Sequence, residues 1–489
     1  MPLNRITTPF VSNLESAVQL NAKDDPNYYT TDPNSLISTS TIHSFTTGTG
    51  TLIYRSLSKL LESTAHELIL VTCFWARSES LDSLNDVLRV LSDKAVKKGT
   101  KKIRVRICFS SLSVFQQLFH TQRVDGQTYP PSVWAKKLGL IPPSGLGGLD
   151  LQIKSVFLLP FSVMHPKFMI IDRRTVILPS CNISWEPWFE GCITFSGSIV
   201  HQFLRFYEEF WERDELSSLD ASDLDQTESS RWKARILETE RFGHWPSVTS
   251  FFDNSKDAER IQDIPTIFLP SPHRRNPRFK PFASTEKVVA PPTPLNTFIL
   301  TLLEKAESSI QIQTPNVTSP PVLRGLLRAL QRGVDVSIVT SEKLMMLEQL
   351  VTAGTTTKRC IKILIKRYRK LQSNSTPSSR LATDEEAAIE TSRPGNLEIS
   401  YFAPVNSPKP RGQEAGEPQQ SHLKMMIVDE EVLVLGSGNL DRASWFTSQE
   451  LGVAFVDMTL ARKVKRVVDG QMSDRRKVVF DSRAENNRD

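Results

Sequence analysis

The chain has 489 residues, of which 39% are hydrophobic and 23% are charged. At about one domain per 150 residues, this length predicts two or three structural units. The composition is typical of globular proteins and excludes a mainly disordered or fibrous chain. The net charge of +6 is compatible with a phosphate-bearing partner and far below that of a histone-like protein.

The longest apolar runs, at 156–163 and 432–435, fall far short of the ~18 residues that a membrane span needs. The amino-terminal stretch has no unbroken apolar region and carries Glu15, which argues against a secretory signal. We expect an intracellular protein, cytoplasmic or peripheral on a membrane, and leave a mitochondrial location open. Five scattered cysteines without a CxxC pair favour reduced, buried thiols over a zinc site.

Both halves of the chain predict the same order of elements, from helix to strand to helix to two strands and a hairpin. In the first half these are 52–61, 67–74, 81–96, 103–109, 151–157 and the hairpin 167–171 with 175–178. In the second half they are 298–303, 309–313, 322–331, 334–340, 397–402 and the hairpin 424–428 with 432–435. Strands that alternate with helices predict an α/β fold with a mostly parallel mixed sheet flanked by helices.

Composition also predicts where the halves separate. A connector is expected at 214–290, with at most one short helix, because its start is acidic and Ser-rich and its end holds several prolines. It divides a first lobe from a second lobe that carries two mobile polar insertions. The predicted units are 1–47, an N-terminal segment; 48–213, the first lobe; 291–467, the second lobe with insertions 371–393 and 405–420; and 468–489, the tail.

The two predicted hairpins carry the same residue types at the same spacing. Each has a histidine, a lysine two positions later, an aspartate, a serine and asparagine two apart, and a glutamate. With eight histidines in the chain, roughly 0.03 matches to His-x-Lys-x4-Asp are expected by chance, so two matches are not accidental. The residues are His165, Lys167, Asp172, Ser180, Asn182 and Glu190, and then His422, Lys424, Asp429, Ser437, Asn439 and Glu450.

These residue types predict a phosphate site. On a strand, residues two apart face the same way, so each histidine lies beside a lysine charge, and each Ser-x-Asn pair adds neutral donors. Two such sets suit in-line displacement at phosphorus, in which one histidine attacks and the other protonates the leaving oxygen. A glutamate on the far ring nitrogen would orient each imidazole. This chemistry is expected to need no metal and no cofactor.

At these residues the chain resembles the phospholipase D superfamily, whose signature is a duplicated HxKx4D motif followed by GSxN. The resemblance implies two similar α/β lobes in pseudo-twofold relation, one active site at their seam and a covalent phosphohistidine. By the same resemblance, His165 is the nucleophile, His422 is the general acid, and the lysines and asparagines bind phosphate. The segment GSGNLDRAS at 436–444 is similar to the cardiolipin-synthase and phospholipase branches.

The first copy departs from this pattern. Pro179 and Cys181 stand where the second copy has glycines, and Ser184-Trp185 stands in place of Asp441-Arg442. The two half-sites are therefore unequal, which a division into one nucleophile and one acid tolerates.

Structural roles compete with the chemical ones at several positions. Asp172 and Asp429 lie at predicted turns, where an aspartate caps its own backbone, and Glu190 and Glu450 also fit ordinary surface acids. Core packing is favoured over a substrate platform for the aromatic pair after each motif, Trp188-Phe189 and Trp445-Phe446. Solvated faces compete with anionic-membrane or nucleic-acid contacts at four basic clusters, 97–106, 273–280, 358–370 and 462–466.

The leading hypothesis is a phosphatidyltransferase or phospholipase D that acts on glycerophospholipid, with an alcohol or water as acceptor. It would contact an anionic membrane peripherally and act as a monomer, because both half-sites lie in one chain. One alternative is a metal-independent nuclease or other nucleic-acid phosphodiesterase. Another is a non-catalytic anionic-lipid-binding protein with a relict site, against which the intact histidine and lysine of both copies argue.

Overall fold

The computed structural model describes most of the chain, namely residues 3–112, 123, 125–158, 163–213, 261–272, 288–342, 344, 349–350, 353–375, 393–405, 407–410 and 416–486. Its strands are β1 (Ile37–Gly48), β2 (Glu67–Phe74), β3 (Ile103–Ser111), β4 (Gln127–Thr128), β5 (Leu149–Ser155), β6 (Phe168–Ile171), β7 (Thr175–Pro179), β8 (Trp188–Ser196), β9 (Ile261–Ser271), β10 (Ser309–Gln313), β11 (Asp335–Thr340), β12 (Leu397–Phe402), β13 (Gln420–Ser421), β14 (Met425–Val428), β15 (Val432–Gly436), β16 (Glu450–Val456) and β17 (Arg476–Asp481).

The helices pack on this sheet and connect its strands. The α-helices span Leu3–Ser16, Val18–Asn21, Gly50–Glu62, Glu79–Lys98, Pro131–Val133, Val200–Phe210, Pro294–Lys305, Pro320–Gln331, Thr357–Ser375, Arg442–Phe446, Met458–Met472 and Ser482–Asn486. Short 3-10 turns lie at Tyr28–Thr30, Pro33–Leu36 and Pro143–Leu146, and a π turn lies at Trp134–Leu138. Among the described helices, none is long and apolar enough to cross a bilayer.

The strand pairings of the two halves correspond. In the first half β2 and β5 flank β3 in parallel, and β2 then pairs with the antiparallel run β6, β7 and β8. In the second half β10 and β12 flank β11 in parallel, and β10 pairs with the run β14, β15 and β16. The predicted α/β class with a mixed sheet and flanking helices is confirmed, while a twofold relation between the lobes stays a prediction.

Two strands outside the predicted lobes join the halves into one sheet. β1 pairs with β8 and β9, and β9 pairs with β16. β1 lies in the predicted N-terminal segment, and β9 lies in the predicted connector, so the expectation of at most one short helix there is wrong. β9 was missed because its buried residues, such as Ile267, Phe268 and Leu269, stand between prolines that indicate loops in sequence.

Other predicted boundaries shift in the same way. β17 pairs with β12 and lies in the predicted tail, and the helix Thr357–Ser375 extends into the first predicted insertion. The rest of that insertion up to residue 392, and parts of the second, lie outside the described residues, as do 214–260 of the connector. All five cysteines lie within the described part, are buried and form no disulfide.

One large hydrophobic core runs through both halves, and a second core lies under the helices of the first half. Aromatic rings connect the halves across the sheet: Phe195 contacts Phe455 with 5.5 Å between ring centroids, and Phe203 contacts Phe268 at 4.9 Å. Because this packing is continuous, it fixes the positions of β8 and β16 relative to each other where the two halves meet.

Candidate active site

Each motif histidine is fixed by the opposite half of the chain. The backbone N–H of His165 donates to the carbonyl of Gln449 at 2.9 Å, and that of His422 donates to the carbonyl of Phe189 at 2.8 Å. These acceptors directly precede Glu450 and Glu190 at the starts of β16 and β8. The two histidine segments therefore dock reciprocally on the two glutamate strands.

The side chains make the same crossed pairing. His165 Nδ1 lies 2.8 Å from Glu450 Oε2, and His422 Nδ1 lies 2.8 Å from Glu190 Oε1. Both glutamates are buried, so the alternative of ordinary surface acids is excluded for them. The sequence predicted a glutamate on each imidazole, and the structure adds that each glutamate comes from the other motif copy.

The two motif serines hold the glutamates. Ser180 Oγ donates to Glu190 and accepts from the N–H of Gly191, and Ser437 Oγ donates to Glu450 at 2.5 Å. A hydroxyl has one proton to donate, and here that proton is used on a carboxylate. Ser180 and Ser437 therefore do not offer a donor to phosphate, contrary to the prediction, and instead position the groups that orient the histidines.

Glu450 receives one further bond, which the first copy lacks at the aligned position. Ser444 Oγ donates to Glu450 Oε1 at 2.7 Å, whereas the aligned residue of the first copy is Pro187. Sequence reasoning missed Ser444, although it lies within the GSGNLDRAS segment. The inequality of the two half-sites thus extends to the environment of the two glutamates.

Electrostatics keep the two carboxylates ionised. Burial opposes ionisation of Glu190, yet its pKa lies below the ordinary value because His422, Lys424 and Ser180 favour the carboxylate. The pKa of Glu450 is lowered by the corresponding partners on its side. An ionised carboxylate only accepts hydrogen bonds, so the proton in each pair lies on the imidazole Nδ1.

The same burial keeps both imidazoles neutral near pH 7. Burial lowers the pKa of His422 to about 3 against the opposing charge of Glu190, and burial also lowers the pKa of His165 against that of Glu450. With Nδ1 protonated, each neutral ring has an unprotonated Nε2, which is the nucleophilic or proton-accepting atom. The side chain of His165 is 14% exposed and that of His422 only 3%.

Two buried lysines supply positive charge to this site. Lys167 Nζ donates to the carbonyl of His165 at 3.0 Å, and Lys424 Nζ donates to that of His422 at 2.7 Å. An ammonium has three donors, so two remain on each for a ligand. Burial lowers the pKa of Lys424 to about 7, with the charge of Lys167 adding to the shift and Glu190 opposing it. The two lysines are therefore close enough for the charge of one to affect the pKa of the other.

The two asparagines differ in what they offer. The N–H of Phe74 donates to Asn182 Oδ1 at 3.3 Å, which leaves the amide NH₂ of Asn182 as the group available to a ligand. Asn439 instead donates its Nδ2 to Asp441 Oδ2 at 3.1 Å. Asp441 is buried, and burial raises its pKa. Sequence reasoning did not select Asp441 as a site residue, although its place in GSGNLDRAS was visible.

The motif aspartates lie away from the histidines. Asp172 accepts from the N–H groups of Ala65, His66 and Glu67 at 2.7–2.9 Å, and so holds the start of β2. It directly follows β6, whereas His165 lies three residues before that strand begins. The assignment of Asp172 as catalytic is therefore corrected to a structural role.

Asp429 repeats this arrangement at the start of β10. It accepts from the N–H groups of Glu307, Ser308 and Ser309 at 2.8–3.2 Å. Burial opposes ionisation, but these bonds outweigh it and lower the pKa of Asp429. Both Asp172 and Asp429 have positive φ at their turns, which aspartate tolerates better than most residues, but each carboxylate caps the start of a distant strand and not its own backbone.

Among the aromatic residues after each motif, Phe189, Trp445 and Phe446 are buried as core residues. Trp188 is only half-buried, and its ring centroid lies 4.6 Å from that of His422. Trp188 therefore covers one histidine from the first half of the chain. In the described ranges, no group of three or more His, Cys, Asp or Glu side chains is placed to hold a metal ion.

Comparisons with known proteins agree with this architecture. A family model described as "Cardiolipin synthase, PLD-like domain" matches residues 299–471. No curated protein sequence matches the chain significantly. Among solved structures, phosphatidylserine synthase of Haemophilus influenzae Rd KW20 is 14% identical and covers 92% of this chain and 90% of its own, with a TM-score of 0.50.

Two further solved structures are similar at lower TM-scores. Polyphosphate kinase of Porphyromonas gingivalis is 12% identical over 88% of this chain and 47% of its own, with a TM-score of 0.42. The phospholipase D family member Nuc of Salmonella typhimurium is 16% identical over 44% of this chain and 98% of its own, with a TM-score of 0.27. The fold comparison rests on the first structure, whose similarity extends over both halves.

Proposed function

We propose, on the premise that the chain belongs to the phospholipase D superfamily, that it cleaves or transfers a phosphodiester of a glycerophospholipid through a covalent phosphohistidine. The observation that carries this proposal is the crossed pairing of His165 with Glu450 and His422 with Glu190. It gives two oriented imidazoles, each with a free Nε2, in a site with two ammonium groups. In-line displacement at phosphorus needs these groups.

In the first step, Nε2 of His165 attacks phosphorus. A nitrogen–phosphorus bond forms, the bond to the leaving oxygen breaks, and His422 donates a proton to that oxygen. His422 is neutral in the ligand-free site, because burial lowers its pKa to about 3. A phosphodiester anion that binds beside it favours the imidazolium, so substrate binding would load the acid.

In the second step, His422 accepts a proton from water or an alcohol, whose oxygen attacks phosphorus and displaces His165. Glu450 and Glu190 hold the two rings and stabilise whichever ring carries the second proton. Lys167, Lys424 and the amide of Asn182 would bind the non-bridging oxygens, since these are the donors that the site leaves available. The charge that develops on those oxygens is thereby offset.

A glycerophospholipid is the proposed substrate because the matching family model is described as cardiolipin synthase. We expect peripheral contact with an anionic membrane and action as a monomer, since one chain supplies both histidines. Water as the acceptor of the second step would give hydrolysis, and an alcohol would give transfer. Both reactions would use the same residues.

The proposal is tested by incubating the purified protein in the presence of EDTA with one labelled substrate at a time: phosphatidylcholine, phosphatidylglycerol or single-stranded DNA. We expect release of a headgroup or formation of a new phosphatidyl product, and no DNA cleavage. His165→Ala should abolish turnover, and His201→Ala, on the helix Val200–Phe210, should retain it. Cleavage of DNA without any turnover of lipid would replace the proposal with a nuclease.

A further inference from the structure

The helix Thr357–Ser375 carries a strongly charged surface that the catalytic proposal does not use. Its 19 residues include seven lysines and arginines and no acid. Five exposed basic residues, here called the cationic face, lie along its outer side: Arg359, Lys362, Lys366, Arg367 and Lys370.

The helix is amphipathic, and this fixes the direction of the cationic face. Cys360, Ile361, Leu364 and Tyr368 are buried against the second half. Tyr368 OH also donates to the carbonyl of Gly395 at 2.8 Å. On a helix with 3.6 residues per turn, the opposite side is the solvent side, and it extends for about 28 Å.

In the described part of the chain, the ion pairs of this helix lie at the edges of the face. Lys358 pairs with Glu342 at 2.8 Å, and Arg369 pairs with Glu485 at 2.5 Å. Among the described residues, no ion pair involves Arg359, Lys362 or Lys370. The neighbouring helix Pro320–Gln331 adds further positive charge, because Arg324 and Arg328 belong to the same group of interacting cations as Arg367.

Two of the remaining basic clusters are neutralised in part by ion pairs. Arg104 and Arg106 pair with Glu212 and Asp150 inside the first half. The cluster at 462–466 is neutralised in part by Glu430 and Asp469, and 273–280 lies outside the described residues. Among the described residues, Arg359, Lys362, Lys366 and Lys370 therefore form a concentrated positive charge that takes part in no ion pair, which calls for an anionic partner.

Buried hydrogen bonds connect the start of this helix to the phosphate site. Asp441, which binds Asn439, accepts from Asn316 Nδ2 at 3.5 Å, and Asn316 Oδ1 accepts from Gln349 at 2.7 Å. Gln349 Oε1 in turn accepts from the N–H of Thr357 at 2.6 Å. The first residue of the helix thus lies at the same edge of the sheet as the site.

We propose that the cationic face is the surface by which the protein docks on an anionic lipid bilayer. This inference rests on the proposed function, since a lipid substrate lies in such a bilayer. Ile363, which is 41% exposed, lies amid Arg359, Lys366 and Lys370 on the outer side. An apolar side chain among cations fits the headgroup region of a membrane, whereas the phosphates of a nucleic acid gain nothing from it.

The expected strength follows from the charge count. Each Lys or Arg near an anionic bilayer contributes about 1 kcal/mol, or about a fivefold change in partitioning. Replacing four of the five residues by uncharged glutamine should therefore weaken vesicle binding several hundredfold. Glutamine preserves helix propensity, and the replaced side chains are exposed, so the fold should remain intact.

The test compares three proteins by co-sedimentation with vesicles of phosphatidylcholine alone or with added phosphatidylglycerol. They are the unaltered chain, a variant with Arg359→Gln, Lys362→Gln, Lys366→Gln and Lys370→Gln, and a control with Lys97→Gln, Lys98→Gln, Lys101→Gln and Lys102→Gln. The control removes the same charge from exposed lysines of the first half. Thermal unfolding midpoints verify that all three fold.

We expect salt-sensitive binding of the unaltered chain and of the control to phosphatidylglycerol vesicles, and its loss in the helix variant. Equal loss in the control, or retained binding in the helix variant, would overturn the proposal. So would capture of single-stranded DNA by the cationic face without vesicle binding.

Turnover of a short-chain phosphatidylglycerol below its micelle concentration separates the docking proposal from the proposed function. If the helix variant keeps that turnover, the proposed function stands whether or not docking does, and if vesicles bind without any turnover, docking stands alone.

Discussion

Replacing Lys424 by methionine should stabilise the fold, because the buried ammonium is unfavourable to folding. Burial lowers the pKa of Lys424 from 10.5 to about 7. Each pKa unit corresponds to about 1.4 kcal/mol, so charging this group is less favourable in the folded state by about 5 kcal/mol. Methionine fills a similar volume without charge, and it loses one hydrogen bond, to the carbonyl of His422, worth about 1 kcal/mol.

The gain should depend on pH in a defined direction. Between the folded pKa of about 7 and the unfolded value of 10.5, the unfolded chain binds the proton more tightly, so stability rises with pH. Removing Lys424 therefore helps most below pH 7 and least above pH 10. Linkage gives a charge penalty of about 5 kcal/mol at pH 6 and about 2 kcal/mol at pH 9, from which the lost hydrogen bond is subtracted.

Urea unfolding followed by tryptophan fluorescence at pH 6, 7.5 and 9 measures this difference between Lys424→Met and the unaltered chain. Lys362→Met, on an exposed position, is the control and should change the free energy of unfolding by less than about 0.5 kcal/mol. A destabilised Lys424→Met protein at pH 6, or a gain that stays constant up to pH 9, would refute the electrostatic reasoning. The variant should also lose catalytic activity, which would explain why an unfavourable charge is present.

The remaining predictions concern the histidines, their glutamates, the turn aspartates and metals. His165→Ala should abolish the phospho-enzyme that an acid quench would trap. His422→Asn should slow the release of poor leaving groups more than that of good ones, because general acid catalysis contributes about 10²–10⁴-fold and a good leaving group needs less protonation; label on the His422 peptide would reverse the assignment. Glu190→Gln should lower kcat more than it raises KM and should shift the acid limb of the pH profile, because it removes the carboxylate beside His422; an unchanged profile would contradict its positioning role. Asp429→Asn should cost about 1–3 kcal/mol of stability at neutral pH. The difference should begin to fall near the ordinary pKa of 3.8 and disappear only below the lowered pKa of the folded state, because this group stabilises the fold while it is ionised; a loss of activity without loss of stability would point to a catalytic role. Activity should survive EDTA, and full loss with recovery on added divalent ion would refute the metal-independent mechanism.

The local structure around both motifs follows from sequence. The hairpins were predicted to within about one residue, because short apolar runs on either side of a turn-forming aspartate act over a few neighbouring positions. The same local reasoning predicted that Asp172 and Asp429 cap the backbone of their own turns, whereas both bind distant N–H groups. It could not show which backbone groups they bind, since Ala65 and Glu307 are each more than a hundred positions away.

The sheet shows where local reasoning ends. β1 and β9 join the two halves, yet the first is rich in serine and threonine and the second contains prolines. Their strand conformation comes from pairing with β8 and β16, which supplies hydrogen bonds that neither segment can make alone. Composition therefore predicted an N-terminal segment and a connector where the structure has sheet.

The residue types of the site are recognisable in the amino-acid sequence, because a duplicated spacing of histidine, lysine and asparagine is visible without any fold. Their pairing depends on contacts between distant parts of the folded chain. His165 pairs with a glutamate 285 positions away and His422 with one 232 positions away, and the motif serines bind those glutamates and not a ligand. Such pairings depend on how two distant strands meet across a shared core, and the pKa values of the buried lysine and histidines depend on the solvent that this core excludes.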